Sequence, residues 1–435
     1  MTFWLRSRPV KFAGNLAPLA RRGFRVLWIG QTVSSGGDAL VQVAFVFAVL
    51  RIGGNAVDIG TIAAIGTVTR VALILVGGVW ADRLKRQFVM LTSDAVRALV
   101  QAVLAGLLIT GHARVWELGL GTAIFGAAQA FFGPASTGLI PETVPPEQLL
   151  RANSLMSVSS SFLQVGGPAA AGVLVAAFEP GVVFAVDAIT FVVSAVSLAL
   201  LRVPPRKMPE RGSFRADLAA GWQELAIRPW YWINLIAHAC YNFAVPASLV
   251  LGPVIAAHEL GGASAWGAIS ASFSAGAVAG GIVGLRIKPR RPLVVANLAG
   301  VTGGLPLLAL APPLATWAIC VASALSGAGL IVLNSVWSAT MQQLIPDQAR
   351  SRVDSYDWLI SLVAMPAGFA LAGPVALAIG DAATLTAAAA LVSIPVALIV
   401  LVPGIRAVRR TASGQIAGPP ARVPTDAMPD ARVGS

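Results

Sequence analysis

Residues 77–86 of the chain read GGVWADRLKR and join two long apolar runs. Four charged residues, the first Asp82 and the last Arg86, stand between the glycines and a second apolar run that opens at Phe88. So short a link between two membrane-spanning helices forces them to lie antiparallel. The glycines allow the backbones to approach closely, and the charges stand just outside the hydrocarbon. The stretch therefore predicts a tight helical hairpin at a membrane surface.

The composition indicates a membrane protein. Of 435 residues, 56% are hydrophobic and 11% are charged, and the mean hydropathy is +0.77. A soluble core cannot absorb so much apolar sequence, whereas runs of roughly 20 residues can cross the ~30 Å hydrocarbon layer as helices. We predict twelve spans, at residues 24–50, 59–80, 88–110, 115–137, 150–178, 181–201, 230–257, 264–286, 292–311, 314–338, 353–379 and 382–404. The predicted fold class is all-α, with twelve transmembrane helices.

The net charge of +12 indicates membrane topology. With the amino terminus placed in the cytoplasm, nearly all of the 31 lysines and arginines fall in predicted inside segments. Arg51 and Arg114 fall in outside loops, and Arg70 and Arg97 lie within spans. Because short inside loops of membrane proteins are enriched in basic residues, we expect a multi-pass protein of the cell membrane with both termini cytoplasmic. The charge pattern gives no reason to expect a nucleic-acid partner.

The two halves of the chain look like repeats. The pair WI at 28–29 recurs at 232–233, and PEQ at 146–148 recurs as PDQ at 346–348, roughly 200 residues later in both cases. We therefore predict a basic cytoplasmic amino terminus at 1–23, six-helix bundles at 24–201 and 230–405, a cytoplasmic linker with an amphipathic helix at 202–229, and a disordered cytoplasmic tail at 406–435.

The opening stretch also carries a family resemblance. Its pattern of Gly78, Asp82, Arg83 and Arg86 resembles the signature loop between the second and third spans of the major facilitator superfamily of secondary transporters. The resemblance implies two parallel six-helix repeats that work by alternating access. It also implies that the first, fourth, seventh and tenth spans line a central cavity.

Further stretches narrow the resemblance. Residues 24–38 and 131–155 look like the branch of the superfamily that contains enterobactin-type exporters and macrolide-efflux proteins. The sequence GGPAAAG at 166–172 resembles the Gly-Pro motif of superfamily antiporters. These similarities imply export, coupled to an opposing ion flow.

Ionisable residues inside spans are functional candidates because each costs at least ~2.5 kcal/mol at the bilayer centre. Asp38 lies about 14 residues into the first span, ~21 Å along a helix, and is our candidate for proton coupling. Arg70 lies at a comparable depth, and we expect the two to pair; the alternative is a permanent structural ion pair. His238 could relay protons or bind an anionic group, or serve as a hydrogen-bonded packing residue.

Polar residues on the predicted cavity helices are candidates for substrate binding. They are Gln129 in the fourth span, Asn242 in the seventh and Asn334 in the tenth. Asn242 follows His238 by one helical turn and shares its face. Interhelical hydrogen bonding explains each of these residues equally well.

Another group of residues is expected to gate the transporter. Asp94 and Arg97 are predicted to join Asp82 and Arg83 in a charge network that holds the cytoplasmic side closed in one state. The glycines and proline of the fifth span are expected to let it bend, and Asp187 is expected to be structural. The full gating set is Gly78, Asp82, Arg83, Arg86, Asp94, Arg97, Gly167, Pro168, Gly172 and Asp354.

The sequence offers no enzyme motif: we find no Walker loop, nucleophile elbow or dinucleotide fingerprint. Cys240 and Cys320 lie in apolar runs and indicate neither a disulfide nor a metal site, and we expect no cofactor. We predict a monomeric exporter in the lipid bilayer whose partners are protons and a small amphipathic substrate, a drug or siderophore-like metabolite. The alternatives are an importer or uniporter of the same fold, and a transport-inactive receptor or assembly protein.

Overall fold

The computed structural model describes residues 16–201, 227–284, 286–345 and 347–419, with the side chains at 75–83, 347–352 and 354–362 outside this description. The predicted linker helix and the side chains of Gly78, Asp82, Arg83 and Asp354 therefore lie outside the described residues. Eleven helices of the described part are long and apolar enough to cross a membrane, and a further apolar segment, Val363–Ile379, is shorter. The prediction of an all-α membrane fold is confirmed.

The first six spans are continuous helices that begin and end within three residues of the predicted bounds. They are α1 (Arg22–Arg51), α2 (Ala56–Arg83), α3 (Arg86–Ile109), α4 (Val115–Leu139), α5 (Leu149–Ala177) and α6 (Pro180–Leu200). Short 3₁₀ turns at Ile140–Glu142 and Pro146–Gln148 connect α4 to α5.

Two spans of the second half are interrupted where the sequence analysis predicted continuous helices. The remaining helices are α7 (Pro229–Ala244), α8 (Pro246–Ile255), α9 (Ala263–Gly284), α10 (Pro292–Gly300), α11 (Leu305–Leu310), α12 (Thr316–Leu344), α13 (Asp347–Ile379), α14 (Asp381–Leu398) and α15 (Pro403–Ala407). The seventh span breaks at Pro246, which lacks an N–H group and crowds the preceding turn. The ninth span is interrupted by a 3₁₀ turn at Val301–Gly304.

The chain forms two compact units, Met1–Ala48 with Val68–Met208 and Val49–Thr67 with Pro209–Ser435. In the first unit α3 packs against both α4 and α6. An apolar core that includes Phe24, Met90 and Leu139 fills one end of this unit. These contacts fix which face of α3 is buried.

The beginning of α3 is tied to the ends of α4 and α6. The Arg86 guanidinium donates a hydrogen bond of 2.5 Å to a carbonyl oxygen in the last turn of α4 and pairs with Glu142 at 3.1 Å. The Gln87 amide donates to the carbonyl oxygens of Leu198 and Leu201 at 2.6 and 2.7 Å. Arg86, the last residue of the 77–86 stretch, thus anchors the end of α4, and Gln87 anchors the end of α6.

The tail holds ordered structure where we predicted disorder over 406–435. Strand β1 (Arg409–Arg410) pairs antiparallel with strand β2 (Ile416–Ala417). Ile416 is buried against Trp230 and Tyr231, and its N–H donates to the Gln343 side chain at 2.8 Å. The Arg410 N–H of β1 also donates to the Arg290 carbonyl oxygen at 2.9 Å, so one buried isoleucine and two hydrogen bonds hold the hairpin within the second unit.

Candidate functional site

Two buried charges of the first unit lie on α3. Its buried face includes Met90, Asp94, Arg97, Gln101 and Leu104, a spacing of three or four residues that places all five on one side of a helix. Asp94 and Arg97 form an ion pair whose side chains are 0% and 2% exposed. Burying two charges is unfavourable unless the pair is well compensated, so the groups around it decide its role.

Three phenylalanine rings surround the Arg97 guanidinium. The Cζ atom lies 4.1 Å from the ring centroid of Phe132, 4.4 Å from that of Phe191 and 5.8 Å from that of Phe125. A guanidinium within ~6 Å of a ring face gains cation–π stabilisation. Within the described part of the chain, Arg97 Nε and Asp94 Oδ2 make no hydrogen bond. Aromatic contact therefore compensates the guanidinium, but not the carboxylate, for its incomplete hydrogen bonding.

Helix α6 contributes a second buried carboxylate. Asp187 is fully buried and accepts hydrogen bonds from the Gln101 amide at 2.6 Å and the Thr190 hydroxyl at 3.2 Å. Asp38 and Arg97 both lie within electrostatic range of it. Asp187, expected from sequence to be merely structural, thus stands among the charges of α1 and α3.

Asp38 on α1 faces the same group of charges. The residue as a whole is half-buried, and its carboxyl group lies within electrostatic range of Arg97, Asp94 and Arg70. Arg70 is exposed, and no salt bridge joins it to Asp38 among the described side chains. The expected contact pair is therefore replaced by a longer-range interaction. We call Asp38, Asp94, Arg97 and Asp187 the charge cluster.

Close helix packing builds this cluster. A Cβ atom on Gly37 would collide with the Asp187 carboxylate and the Thr190 hydroxyl. Glycine, which has no Cβ, lets the α1 backbone approach α6 so closely. On the neighbouring α5, a Cβ on Gly167 would collide with the methyl group of Ala39. The backbone on both sides of the α1 carboxylate is thus held by adjacent helices.

A cavity of about 600 Å³ lies within the first unit, between residues of α1, α4 and α5. Its wall carries six serines, which are Ser35, Ser136, Ser157, Ser159, Ser160 and Ser161. Gln31, Thr32 and Gln164 add further polar groups, and Phe132 and Met156 supply apolar surface. Among the described residues, none that lines this space is charged. We call this space the serine cavity.

The sequence analysis missed the serine cavity, although a signal was present. Residues 157–164 read SVSSSFLQ and place hydroxyl groups about one helical turn apart. Serine in a helix can bond the carbonyl of the preceding turn, as Ser154 does with Leu150 at 2.8 Å. Such residues leave a span apolar on average, so hydropathy alone hides its polar face.

The residues predicted to bind substrate lie outside this cavity. Gln129 is half-buried on α4 but does not line it. In the second unit, the Asn242 amide donates to the His238 carbonyl oxygen at 2.9 Å, and the His238 ring meets Trp337 edge to face at 5.1 Å. Asn334 is exposed on α12. Of these candidates, the structure joins Asn242 to His238, within one helix.

The residues that we predicted to gate the transporter and whose side chains the structure describes lie on α3 and on α5. Asp94 and Arg97 belong to the charge cluster, and Arg97 lies about 16 Å along α3 from Arg86 at a rise of ~1.5 Å per residue. Pro168 and Gly172 are buried on α5. The network that we predicted between the α3 pair and the 77–86 stretch involves side chains outside the described residues.

Comparison with known proteins places this architecture in a family. A profile described as "Major Facilitator Superfamily" matches residues 27–356. The chain is 25% identical over 357 residues to Macrolide efflux protein A of Streptococcus pyogenes, covering 80% of this chain and 88% of that protein. It is 28% identical over 404 residues to Multidrug efflux pump Tap of Mycolicibacterium fortuitum, covering 87% and 94%.

Solved structures show the same fold. A bacterial homologue of the iron transporter ferroportin, in an inward-facing state, matches with a TM-score of 0.70 at 18% identity, covering 87% of this chain and 98% of that chain. Nucleoside transporter NupG matches with a TM-score of 0.68 at 11% identity and the same coverage. The predicted resemblance to macrolide-efflux proteins is confirmed, and the protein is a multi-pass membrane transporter, not an enzyme. With the family profile matching most of its length, the chain belongs to the major facilitator superfamily.

Proposed function

We propose that this transporter exports small amphipathic compounds, drug-like or siderophore-like, by proton antiport and alternating access. It acts as a monomer in the cell membrane, with both termini in the cytoplasm. The names of two relatives, macrolide efflux protein and multidrug efflux pump, support export of such compounds. The observation that carries proton coupling is that Asp38 lies within electrostatic range of Asp187 and Arg97, next to the close contact of Gly37 with the Asp187 carboxylate.

The balance of charges supports one exchangeable proton. Together with Arg70, the charge cluster holds three carboxyl groups and two guanidinium groups. Charges far from water are tolerated when they balance one another, and one proton on one carboxyl group brings the set to neutrality. Asp38 is the carboxyl we assign, because it is half-buried while Asp94 and Asp187 are fully buried.

The helix packing around Asp38 supports coupling to a conformational change. Gly37, the adjacent residue, contacts the Asp187 carboxylate, so a change of charge at Asp38 acts directly where α1 meets α6. A ligand shifts a conformational equilibrium by its differential affinity for the two states. A proton that binds Asp38 in one arrangement of α1 and α6 more tightly than in the other biases alternating access in this way.

Asp38→Asn is expected to reduce export driven by a pH gradient roughly tenfold or more, the size of a typical coupling between two ligands. The amide preserves the shape of the carboxyl group but does not exchange a proton. Flux of a macrolide, a lipophilic dye and a siderophore is measured in proteoliposomes under an imposed gradient. The control is Asp381→Asn, which changes an exposed carboxylate at the start of α14 and is expected to transport like the wild type.

The other outcomes assign different functions. Gradient-driven flux that survives Asp38→Asn moves the proton site to another residue. Flux that ignores the gradient indicates a uniporter, and inward accumulation indicates an importer. Binding without flux for any of the three compounds indicates the receptor alternative.

A further inference from the structure

Resting on the proposed export function, we propose that the serine cavity binds an uncharged, oxygen-rich part of the transported compound, and that Gln31 and Phe132 transmit its occupancy to the charge cluster. The groups that form this site belong to the first unit alone. Ligand binding and proton release at this site are both equilibrium properties, and both can be measured in detergent without a membrane gradient.

The wall chemistry defines the class of ligand. Hydroxyl and amide side chains both donate and accept hydrogen bonds, and they dominate the cavity wall. No hydrogen bond joins the side chains of Ser136, Ser157 and Ser161 to another of the described residues, which leaves them available to a ligand. A charged group would find no opposite charge on the described part of this wall, whereas hydroxyl, ether and ketone oxygens would find several partners. Phe132 and Met156 accommodate the hydrocarbon skeleton between those oxygens.

Gln31 provides the first connection to the charge cluster. It is 7% exposed, lines the cavity, and donates its amide to the Ser194 hydroxyl oxygen at 3.2 Å. The Ser194 side chain lies against the Asp94 carboxylate. A ligand oxygen that takes over the Gln31 amide hydrogen releases Ser194, and this changes the hydrogen bonding available to Asp94.

Phe132 provides the second connection. Its side chain forms part of the cavity wall, and its ring centroid lies 4.1 Å from the Arg97 guanidinium. A ligand that displaces the ring alters the cation–π contact and hence the balance of attraction around Arg97. Phe191 contacts the same guanidinium at 4.4 Å but does not line the cavity. It therefore provides a matched comparison.

The ligand class is tested by calorimetric titration of the purified full-length protein in detergent. The probes are erythronolide B, a neutral polyhydroxylated lactone, and tetraphenylphosphonium, a cation without oxygen. We expect Ser157→Ala/Ser161→Ala to weaken erythronolide B binding roughly tenfold, because each substitution removes a hydrogen bond, and to leave tetraphenylphosphonium unaffected. The control is Ser154→Ala, on the same helix but outside the cavity wall. Failure of erythronolide B to bind the wild type, or equal binding to the serine double variant, overturns the assignment.

The transmission is tested by proton release on addition of saturating erythronolide B, followed with an indicator dye in weakly buffered solution. We expect about one proton per protein in the wild type, the single proton exchanged at the charge cluster in each binding event. Phe132→Leu and Gln31→Leu, tested separately, are expected to bind the probe and release less than about a third as much. Phe191→Leu is expected to release protons on addition of erythronolide B as the wild type does. If Phe132→Leu and Gln31→Leu both release as many protons as the wild type, the proposed transmission from the serine cavity to the charge cluster is refuted. If one of the two variants does not fold, the other alone decides.

Failure of this assignment is distinguishable from failure of the export function. Binding and proton release without gradient-driven flux in vesicles contradict export and leave the site intact. Gradient-driven flux that is insensitive to the serine double variant contradicts the site and leaves export intact.

Discussion

Arg97→Met is expected to lower the free energy of unfolding of the detergent-solubilised protein by about 3–5 kcal/mol, the range for breaking a buried ion pair on one side. The substitution leaves Asp94 and Asp187, both fully buried, without their central cation. It also removes the contacts of the guanidinium with the rings of Phe132 and Phe191. Unfolding is measured by titration with sodium dodecyl sulfate, followed by circular dichroism.

A double-mutant cycle separates the charge from the packing. Asp94→Leu alone is expected to lower the free energy of unfolding by less than Arg97→Met does, because the negative charges of Asp187 and Asp38 remain to balance Arg97. The double variant Asp94→Leu/Arg97→Met is expected to regain much of the stability that Arg97→Met alone loses, since a buried ion pair can often be replaced by apolar residues. Arg286→Met, at an exposed position, is the control and is expected to unfold like the wild type. A cost below ~1 kcal/mol for Arg97→Met would contradict the burial of the pair.

The spans could be predicted because one physical quantity determines their length. The hydrocarbon thickness requires about 20 apolar residues per helix, and α1 to α6 accordingly begin and end close to the predicted positions. The interruptions at Pro246 and at Val301–Gly304 were missed because a broken span retains the hydropathy of a continuous one. The docked hairpin was missed because its attachment depends on the buried Ile416 and on hydrogen bonds from the N–H groups of Ile416 and Arg410, which leave no periodic pattern in the tail.

The candidate site was only partly predictable. The cost of a charge within a span singled out Asp38, and the spacing of Asp94, Arg97 and Gln101 shows that they share one face of α3. The spacing does not say which helix covers that face. That α6 covers it, and brings Asp187 to Gln101 at 2.6 Å, depends on packing between residues far apart in sequence.

Gly37→Ala is expected to destabilise the protein by about 2–3 kcal/mol, towards the upper end of the cost of overpacking a core. The added Cβ would collide with the Asp187 carboxylate and the Thr190 hydroxyl, both held in hydrogen bonds behind α1. The measurement is unfolding in sodium dodecyl sulfate, as for the Arg97 variant. Alanine favours a helix over glycine by up to ~1 kcal/mol, so the observed loss of stability is smaller than the free-energy cost of the steric collision itself.

Gly36→Ala supplies the matched control at the adjacent position. A Cβ there would meet the Leu163 side chain at 3.5 Å, an ordinary van der Waals contact, while the gain in helix propensity is the same. We therefore expect Gly36→Ala to be as stable as the wild type or slightly more stable. In Gly37→Ala, α1 must move away from α6 and carry Asp38 away from Asp187, so gradient-driven export is expected to fall along with stability. Equal stability of the two alanine variants would mean that α1 and α6 do not meet at Gly37. Asp38 on α1 would then not belong to a cluster with Asp187 on α6.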